Sequence, residues 1–525
     1  MRRPSRRAFL TAGAGLAAGA LLPWGTSCSG GDDGLNVVLI SIDTLRPDRM
    51  GVYGHQPMGT STTPFLDRFT AEGARFTGAF STSSWTLPAH WAMLSGVADD
   101  LHGVIDDTAP VPGSDVPLAA ELFRGAGYAT AGFYSGPYLH KCFGFDRGFD
   151  RYESCLGFET LFDVVSTADG CALSREELGV EAARTERRAH EAITSDTVTR
   201  GAVDFLQKRA AAGDGRPFFI FLHYFDVHND FIPPPPLDRS FGPPYDGWVD
   251  GRGVMTDPRY HAGMDPRDLA HLTALYDGEI AHVDRSLDRL FRSFEKLDPA
   301  LLERTVVVVT SDHGEEFFEH GRLGHRHNLH ESTVAIPLII RCPGRVPAGA
   351  TISGGASVCD ILPTLLDLTG IETPGIVTGT SLLAALKRGS VPRRPALLEL
   401  TETPRRGMLD GVPGTGNRFR KHLALRVGAL KLITVQERRW SRERPFDFRG
   451  KVLNQNHALY DLATDPRERT NLLPARGDLF RKMAARRTEV LRTLREKYTT
   501  YRTGGGTRKP IPHDVRKALG ETGYL

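Results

Sequence analysis

Three apolar runs in the chain stop at side chains able to bind a metal. Asp43 follows LNVVLISI, Asp226 and His228 follow PFFIFLHYF, and Asp312-His313 follow TVVVVTS. Carboxylates and an imidazole at neighbouring strand ends suit a divalent cation. Oxygen ligands favour calcium, magnesium or manganese, and a histidine admits zinc or iron. Taken singly, Asp43 is a helix N-cap and Asp-His-Gly a turn. Taken together, Asp43, Asp312 and His313 point to a metal. A fourth place, SSWTLPAHWAMLSG, offers a hydroxyl. Thr86 stands before Leu87-Pro88 and a helical run, and proline is tolerated in a first helical turn, so Thr86 lies near the N-cap position. Its hydroxyl either only caps the helix or uses the helix N-terminus as an anion site. Beside a divalent cation such a hydroxyl would deprotonate more easily and attack phosphorus or sulfur. His90, one turn on, either positions the anion or packs.

The elements that must carry these residues are legible in outline. The three runs read as buried parallel strands. Between them lie helical stretches such as TPFLDRFTAEGARF, VPLAAELFRGAGY and DLAHLTALYDGEIAHVDRSLDRLFRSFEK. Alternating strands and helices predict an α/β fold, an open, mostly parallel sheet with helices on both faces. Ligands bind such sheets beyond the carboxyl ends of the strands, where all three runs end. Phe149 to Arg188 reads as a polar insertion that shapes substrate access, and IPPPPLDRSFGPPYDGW as a stiff rim loop. From Arg405 to Asn456 the chain is basic and irregular. ALYDLATDPRERTNLL and an amphipathic helix, DLFRKMAARRTEVLRTLREKY, follow. The reading is a catalytic domain over 34–400 and a small C-terminal α+β subdomain over 401–525.

With 525 residues, 40% of them hydrophobic and 24% charged, the chain has a globular composition, neither low-complexity nor collagen-like. A formal charge of +2 leaves no electrostatic footprint for nucleic acid. Arg2, Arg3, Arg6 and Arg7 are part of that balance. Taking these four from the 65 basic residues leaves 61 against 63 acidic ones, a body of about −2. They precede TAGAGLAAGALLPWG, an apolar run too short to span a bilayer and laid out like an export signal. Arg6-Arg7 with Phe9-Leu10 resembles a twin-arginine signal, which exports folded proteins. Cys28 before SGGDDG resembles a lipoprotein anchor, although Gly25 stands where such signals usually have Leu. The alternatives are lipidation at Cys28 and cleavage without an anchor, within 1–33. The expected location is periplasmic or cell-surface, with membrane contact only through that lipid. Among the other cysteines, Cys142, Cys155 and Cys171 are close enough in sequence to supply one disulfide.

Six blocks carry a family resemblance: NVVLISIDTLRPDRMGVYG; TLPAHWAMLSG with LHGV; FLHYFDVHNDFIPP; YDGEIAHVDRSLDRL; TSDHGEEFFEHGRLGHRHNLHEST with IPLIIRCPG; and LYDLATDPRERTNL. In this order they resemble the sulfatase family of the alkaline phosphatase superfamily. The resemblance implies that Asp43, Asp312 and His313 are metal ligands and that His102 supports the site from behind. It places His228 on the substrate's anionic group or leaving oxygen. It assigns a cationic or proton-donating role to either His325 or His327. It implies a divalent metal, calcium by resemblance, with manganese or zinc as alternatives. Thr44 falls where many members have a second ligand Asp.

The main departure is at Thr86. The family carries Cys or Ser here, in Cys/Ser-x-Pro-x-Arg, and oxidises it to formylglycine. Threonine is not a known substrate for that oxidation, so no formylglycine is expected, and His90 replaces the arginine. Thr86-Leu87-Pro88-Ala89-His90 is similar to the threonine nucleophile motif of nucleotide pyrophosphatases/phosphodiesterases, where the threonine also touches the metal. Asp226, His228, His325 or His327 could furnish a second metal, without the usual Asp-x-x-x-His spacing. A formylglycine hydrate releases sulfate by collapsing to the aldehyde. A threonine ester must be hydrolysed directly, which is ordinary for a phospho-enzyme. The expectation is an exported, metal-dependent hydrolase of a phosphate mono- or diester or a sulfate ester, phosphoester favoured, acting through Thr86 on an anionic small molecule, lipid or glycan. The alternatives are a phospho-headgroup transferase and a non-catalytic binder of sulfated or phosphorylated glycans.

Overall fold

The computed structural model describes residues 34–105, 107, 109, 111–158, 160, 166–167, 170–171, 175–189, 194–402, 418–439 and 451–503. The leader and Cys28 lie outside the described residues. The unit described below begins at Leu35.

Its centre is an eight-stranded sheet. In chain order the strands are β1 (Asn36–Ile42), β2 (Ala74–Phe80), β3 (Ala129–Tyr134), β4 (Arg151–Ser154), β5 (Phe218–Tyr224), β6 (Thr305–Thr310), β7 (Leu338–Arg341) and β8 (Ala350–Ser357). Their spatial order is β8-β2-β7-β6-β1-β5-β3-β4. Only β7 runs antiparallel to its neighbours, so the sheet is mostly parallel, as expected. The three runs read as buried strands are β1, β5 and β6, and they are adjacent: β1 pairs with β5 on one side and β6 on the other. Asp43, the Asp226–His228 turn and Asp312-His313 therefore emerge side by side at one end of the sheet.

Period-two alternation divides β1 between two cores. Val37 and Leu39 pack with Trp91 and Met93 of the helix α2 (Thr86–Ser95). Val38 and Ile40 face the opposite way, into a cluster holding Val198 and Ala202 of α3 (Ser195–Ala211) and Leu272, Tyr276 and Ile280 of α4 (Pro266–Leu297). These are the helices on both faces that the pattern required. Helix α1 (Pro64–Ala71) adds Leu66 and Phe69 to the second core. The helical reading of TPFLDRFTAEGARF overran this helix: ARF opens β2, where parallel pairing with β8 outweighs local helix propensity.

The stretch expected to be irregular, from Arg405 to Asn456, holds regular strands instead. A four-stranded antiparallel sheet is built from β9 (Pro395–Glu402), β10 (Arg418–Val427), β11 (Leu430–Arg439) and β12 (Lys451–Asp461). Its basic residues alternate with apolar ones, which suits a sheet with two unlike faces. Leu398, Leu400, Ala424 and Ile433 pack on Phe80 and Val334 at the end of the main sheet. Leu425, Leu432 and Leu459 meet Met483 and Leu479 of α5 (Gly477–Thr503). The proline-rich rim loop packs Leu237 and Phe241 on Ala274 and Ala281 of α4. Cys142 is disulfide-bonded, whereas Cys155, Cys342 and Cys359 are free and buried. Among the described residues no helix is long and apolar enough to cross a membrane.

Candidate active site

At the carboxyl ends of β1 and β6, Asp43, Asp312 and His313 bring ligand atoms within 4.8 Å of one another. All three are fully buried. His313 Nδ1 donates to the Gly314 carbonyl at 2.9 Å, so its Nε2 presents a lone pair. That Nε2 lies 3.4 Å from Asp312 Oδ2 and 3.7 Å from Asp43 Oδ1. Asp312 Oδ1 is occupied by the backbone N–H groups of His313 at 2.8 Å and Thr44 at 3.3 Å. Its Oδ2 has no hydrogen-bond partner, and neither has either oxygen of Asp43. Burying several unpaired acceptor atoms together is costly unless a cation joins them. The chemistry of the donor set fits a divalent metal, and Asp43, Asp312 and His313 are the residues that could hold it.

The electrostatics show the same strain. Burial, then the neighbouring Asp312, push the Asp43 carboxyl up to about 7. For Asp312 burial also pulls upward, but His313, His90 and His223 outweigh it and hold the carboxyl below its ordinary value. Thr44 supplies no oxygen to the cluster: its hydroxyl donates to the Val227 carbonyl at 2.9 Å, in a left-handed backbone conformation with φ 54°.

Thr86 is the first residue of α2, one place inside the cap position expected for it. Trp85 is the N-cap, and no side chain caps the turn. The hydroxyl is thus not spent on the helix. Thr86 Oγ1 lies 3.2 Å from His313 Nε2, against the metal-binding cluster and at the positive end of the helix. His90, one turn later, holds the Thr86 carbonyl with Nδ1 at 2.8 Å and meets the Ser41 hydroxyl with Nε2 at 3.0 Å. Burial depresses its ring to about 4, so it is neutral at pH 7. It therefore cannot replace the permanent charge of the arginine that the family resemblance puts there.

His228 and His325 close the other side. Their rings are 4.9 Å apart, and His325 lies 4.5 Å from the His313 ring. His228 Nδ1 donates to the Asn229 carbonyl at 2.9 Å. Burial lowers His228, and burial with the adjacent His313 and His228 rings lowers His325 well below its usual range. His325 Nδ1 sits 3.2 Å from both oxygens of Glu315, whose carboxyl burial and Asp43 push well above its usual range. His327 is held differently. Its Nδ1 faces the His325 carbonyl at 2.9 Å and its Nε2 faces Glu316 at 3.0 Å, so neither nitrogen is left to serve a substrate. Against the upward pull of burial, the hydrogen bond from His327 keeps Glu316 at about 2. His325→Ala is expected to lower kcat about a hundredfold, the scale of a lost proton-transfer group. His327→Ala is expected to act through stability, lowering it by about 1–3 kcal/mol through loss of one charge-assisted hydrogen bond to the buried Glu316, which keeps those from Asn328 and from the His320 and Arg322 N–H groups. Steady-state kinetics and thermal melts of the two variants separate these outcomes.

Asp226 is also spent elsewhere. Its carboxylate accepts from the backbone N–H groups of Thr194 and Ser195, both at 2.7 Å, at the start of α3. It is not placed to help hold a second metal. His102 lies 3.3 Å from Asp99 and its ring is 6.3 Å from that of Trp91 of α2.

Four residues near the site were not singled out from the sequence. His223 is hidden inside the apolar β5 run. Its Nε2 approaches Asp43 Oδ2 to 3.3 Å, and burial depresses its ring to about 4. Glu315 and Glu316 follow the Asp-His-Gly turn and divide the two histidines between them. Arg326, at φ 65°, donates its backbone N–H to the Ser84 carbonyl at 2.9 Å, and its guanidinium stacks on Trp85 at 3.6 Å. Adjacency to a motif was the only available signal for the glutamates and Arg326; nothing local marks His223. A separate cluster, His320, His330 and Glu468, is a structural fastening. Its rings stack parallel at 3.6 Å, and Glu468 is taken by Lys431, His330 and the Glu331 N–H.

Comparison with known proteins agrees with this architecture. The sulfatase family model matches residues 35–371. The chain is 27% identical to the uncharacterized sulfatase YidJ of Escherichia coli K12 over 364 residues, covering 66% of this chain and 70% of that protein. It is 22% identical to an N-acetylglucosamine-6-O-sulfatase of Bacteroides thetaiotaomicron over 542 residues, covering 89% and 87%. Among solved structures, the phosphonate monoester hydrolase of Agrobacterium radiobacter superposes with a TM-score of 0.62 at 22% identity, over 88% of this chain and 96% of that one. The chain belongs to the sulfatase family and is a hydrolase of sulfate or phosphate esters.

Proposed function

We propose that the protein is an exported, metal-dependent phosphoesterase in which Thr86 is the nucleophile. The observation that carries this reading is the Thr86 hydroxyl itself: free of any capping role and 3.2 Å from Nε2 of the buried His313. Asp43, Asp312 and His313 hold the cation, with Thr86 beside them. Bound there, a divalent cation supplies Lewis acidity and lowers the pKa of the hydroxyl. The donor set has two carboxylates and the imidazole of His313, with the His228 ring on the far side of His325. It is richer in nitrogen than calcium prefers, so zinc or manganese is the better match.

Thr86 Oγ attacks phosphorus, the bond to the leaving oxygen breaks, and a phosphothreonine forms. The hydroxyl proton of Thr86 leaves to solvent; His325 gives its Nε2 proton to the leaving oxygen while Nδ1 takes up the proton that burial keeps on Glu315, which solvent later replaces, and His228 flanks the same oxygen. Water then attacks the same phosphorus, releasing phosphate or a phosphomonoester and restoring Thr86. A sulfo-enzyme at Thr86 would lack the aldehyde-collapse route by which formylglycine releases sulfate. The twin-arginine-like leader at 1–33 supports export, with or without a lipid on Cys28. An assay of aryl phosphate, bis-aryl phosphate and aryl sulfate with zinc, manganese or calcium tests the preference. One of the phosphoesters is expected to turn over at least about tenfold faster than the sulfate; a faster sulfate sinks the assignment.

A further inference from the structure

Behind the ligand carboxylates stand two fully buried imidazoles, His90 and His223, their rings 4.9 Å apart. Each lies within reach of Asp312, so the trio could pass for a second metal site. Their hydrogen bonds argue otherwise. The Gly136 backbone N–H donates to His223 Nδ1 at 3.3 Å. A ring that accepts at Nδ1 is neutral and carries its proton on Nε2. That Nε2 lies 3.3 Å from Asp43 Oδ2, close to it but short of hydrogen-bond alignment, and neither atom has any other group to pair with. In His90 the Thr86 carbonyl can only accept, so Nδ1, 2.8 Å away, bears the proton. The same Nδ1 is 3.5 Å from Asp312 Oδ2. Both rings therefore turn N–H groups, not lone pairs, toward the carboxylates.

We propose that His223 is a positioning residue for the metal site: its Nε2–H holds Asp43 Oδ2 and leaves Oδ1 to the cation. The inference rests on Asp43 being a ligand. Ligand carboxylates are commonly oriented by such a donor, and losing it typically weakens metal binding without removing the site. The need is acute here. Thr44 contributes no carboxylate, and its hydroxyl is tied to the Val227 carbonyl. Asp43 has no backbone N–H donor on either oxygen, unlike Asp312. His223 is the group placed to fix its rotation.

The test is calorimetric titration of chelator-stripped protein with zinc and with manganese. It compares wild type, His223→Phe, His223→Leu, His223→Gln and Asp43→Asn, with a metal-free melt of each as a folding control. His223→Phe and His223→Leu, which lack a donor, are expected to bind roughly 10- to 100-fold more weakly at unchanged stoichiometry. His223→Gln, whose amide can donate, is expected to recover most of that loss. Asp43→Asn is expected to lose saturable binding. Unchanged affinity in whichever donorless variant folds would overturn the positioning role, as would a drop in stoichiometry, which would make His223 a ligand. Both outcomes leave Asp43 as a ligand. Wild-type binding by Asp43→Asn would instead overturn the ligand assignment, and this proposal with it.

Discussion

Thr86→Ala is expected to lower kcat by at least about a thousandfold on any phosphoester the enzyme accepts, the scale seen when a reacting group is removed. The fold should barely notice. An N-cap threonine lost to alanine costs typically about 1 kcal/mol, but Thr86 is not the cap and its hydroxyl makes no bond within the helix. The cost is expected to stay below that figure, and alanine suits a helical position. Thr86→Ser keeps a hydroxyl at the same place and should retain measurable turnover. Single-turnover assays with trapping of the phosphorylated protein check the pair. Wild type and Thr86→Ser should carry label at residue 86, and Thr86→Ala none. Turnover persisting in the alanine variant would show that another group attacks.

Asp312→Asn should have a comparable effect by a different route. Asp312 Oδ1 accepts two backbone N–H groups, and an asparagine carbonyl can keep both, so the turn should survive. What disappears is the charge on Oδ2. Metal content is expected to fall from about one per chain to near zero. The metal-dependent rise in melting temperature should disappear with it, and kcat should drop about a thousandfold or more. Elemental analysis and melts with and without metal provide the check; full metal content would refute the ligand assignment. The pH dependence follows from Asp43. Burial and Asp312 push its metal-free carboxyl up to about 7, so below that pH the group holds a proton that a cation must displace. Apparent metal affinity should fall about tenfold for each pH unit below 7 and level off above it. Titrations between pH 5.5 and 8.5 would record this.

Asp43 and the pair Asp312-His313 were readable as candidates because each closes a largely apolar run, and the two runs lie side by side in the sheet. Parallel central strands announce themselves in this way because both faces are buried. Thr86 was readable from the proline two places on, although its exact position in the helix turn was not. What escaped depends on partners distant in sequence. His223 looks like one polar residue in a strand until β1 pairs beside it and brings Asp43 within 3.3 Å. His325 and His327 are equivalent by spacing, and only the opposite placement of Glu315 and Glu316 divides them. The strands β10 to β12 were obscured by their charge, since basic residues on one sheet face resemble an irregular coil when read along the chain. Asp226 misled for the converse reason: it ends a strand beside His228 but serves the α3 N-terminus.

The adjacency of β1 to both β5 and β6 also sets a timetable. A chain made from its N-terminus exposes Asp43 and Thr86 early, yet both strands that flank β1 come later, the second ending at Thr310. With Asp43, Asp312 and His313 as the proposed ligands, no nascent fragment ending before His313 could hold the ion. On that proposal metal capture would report completion of the central sheet. For a protein exported already folded, the metal would have to be chosen from the pool inside the cell, before the destination compartment can offer its own.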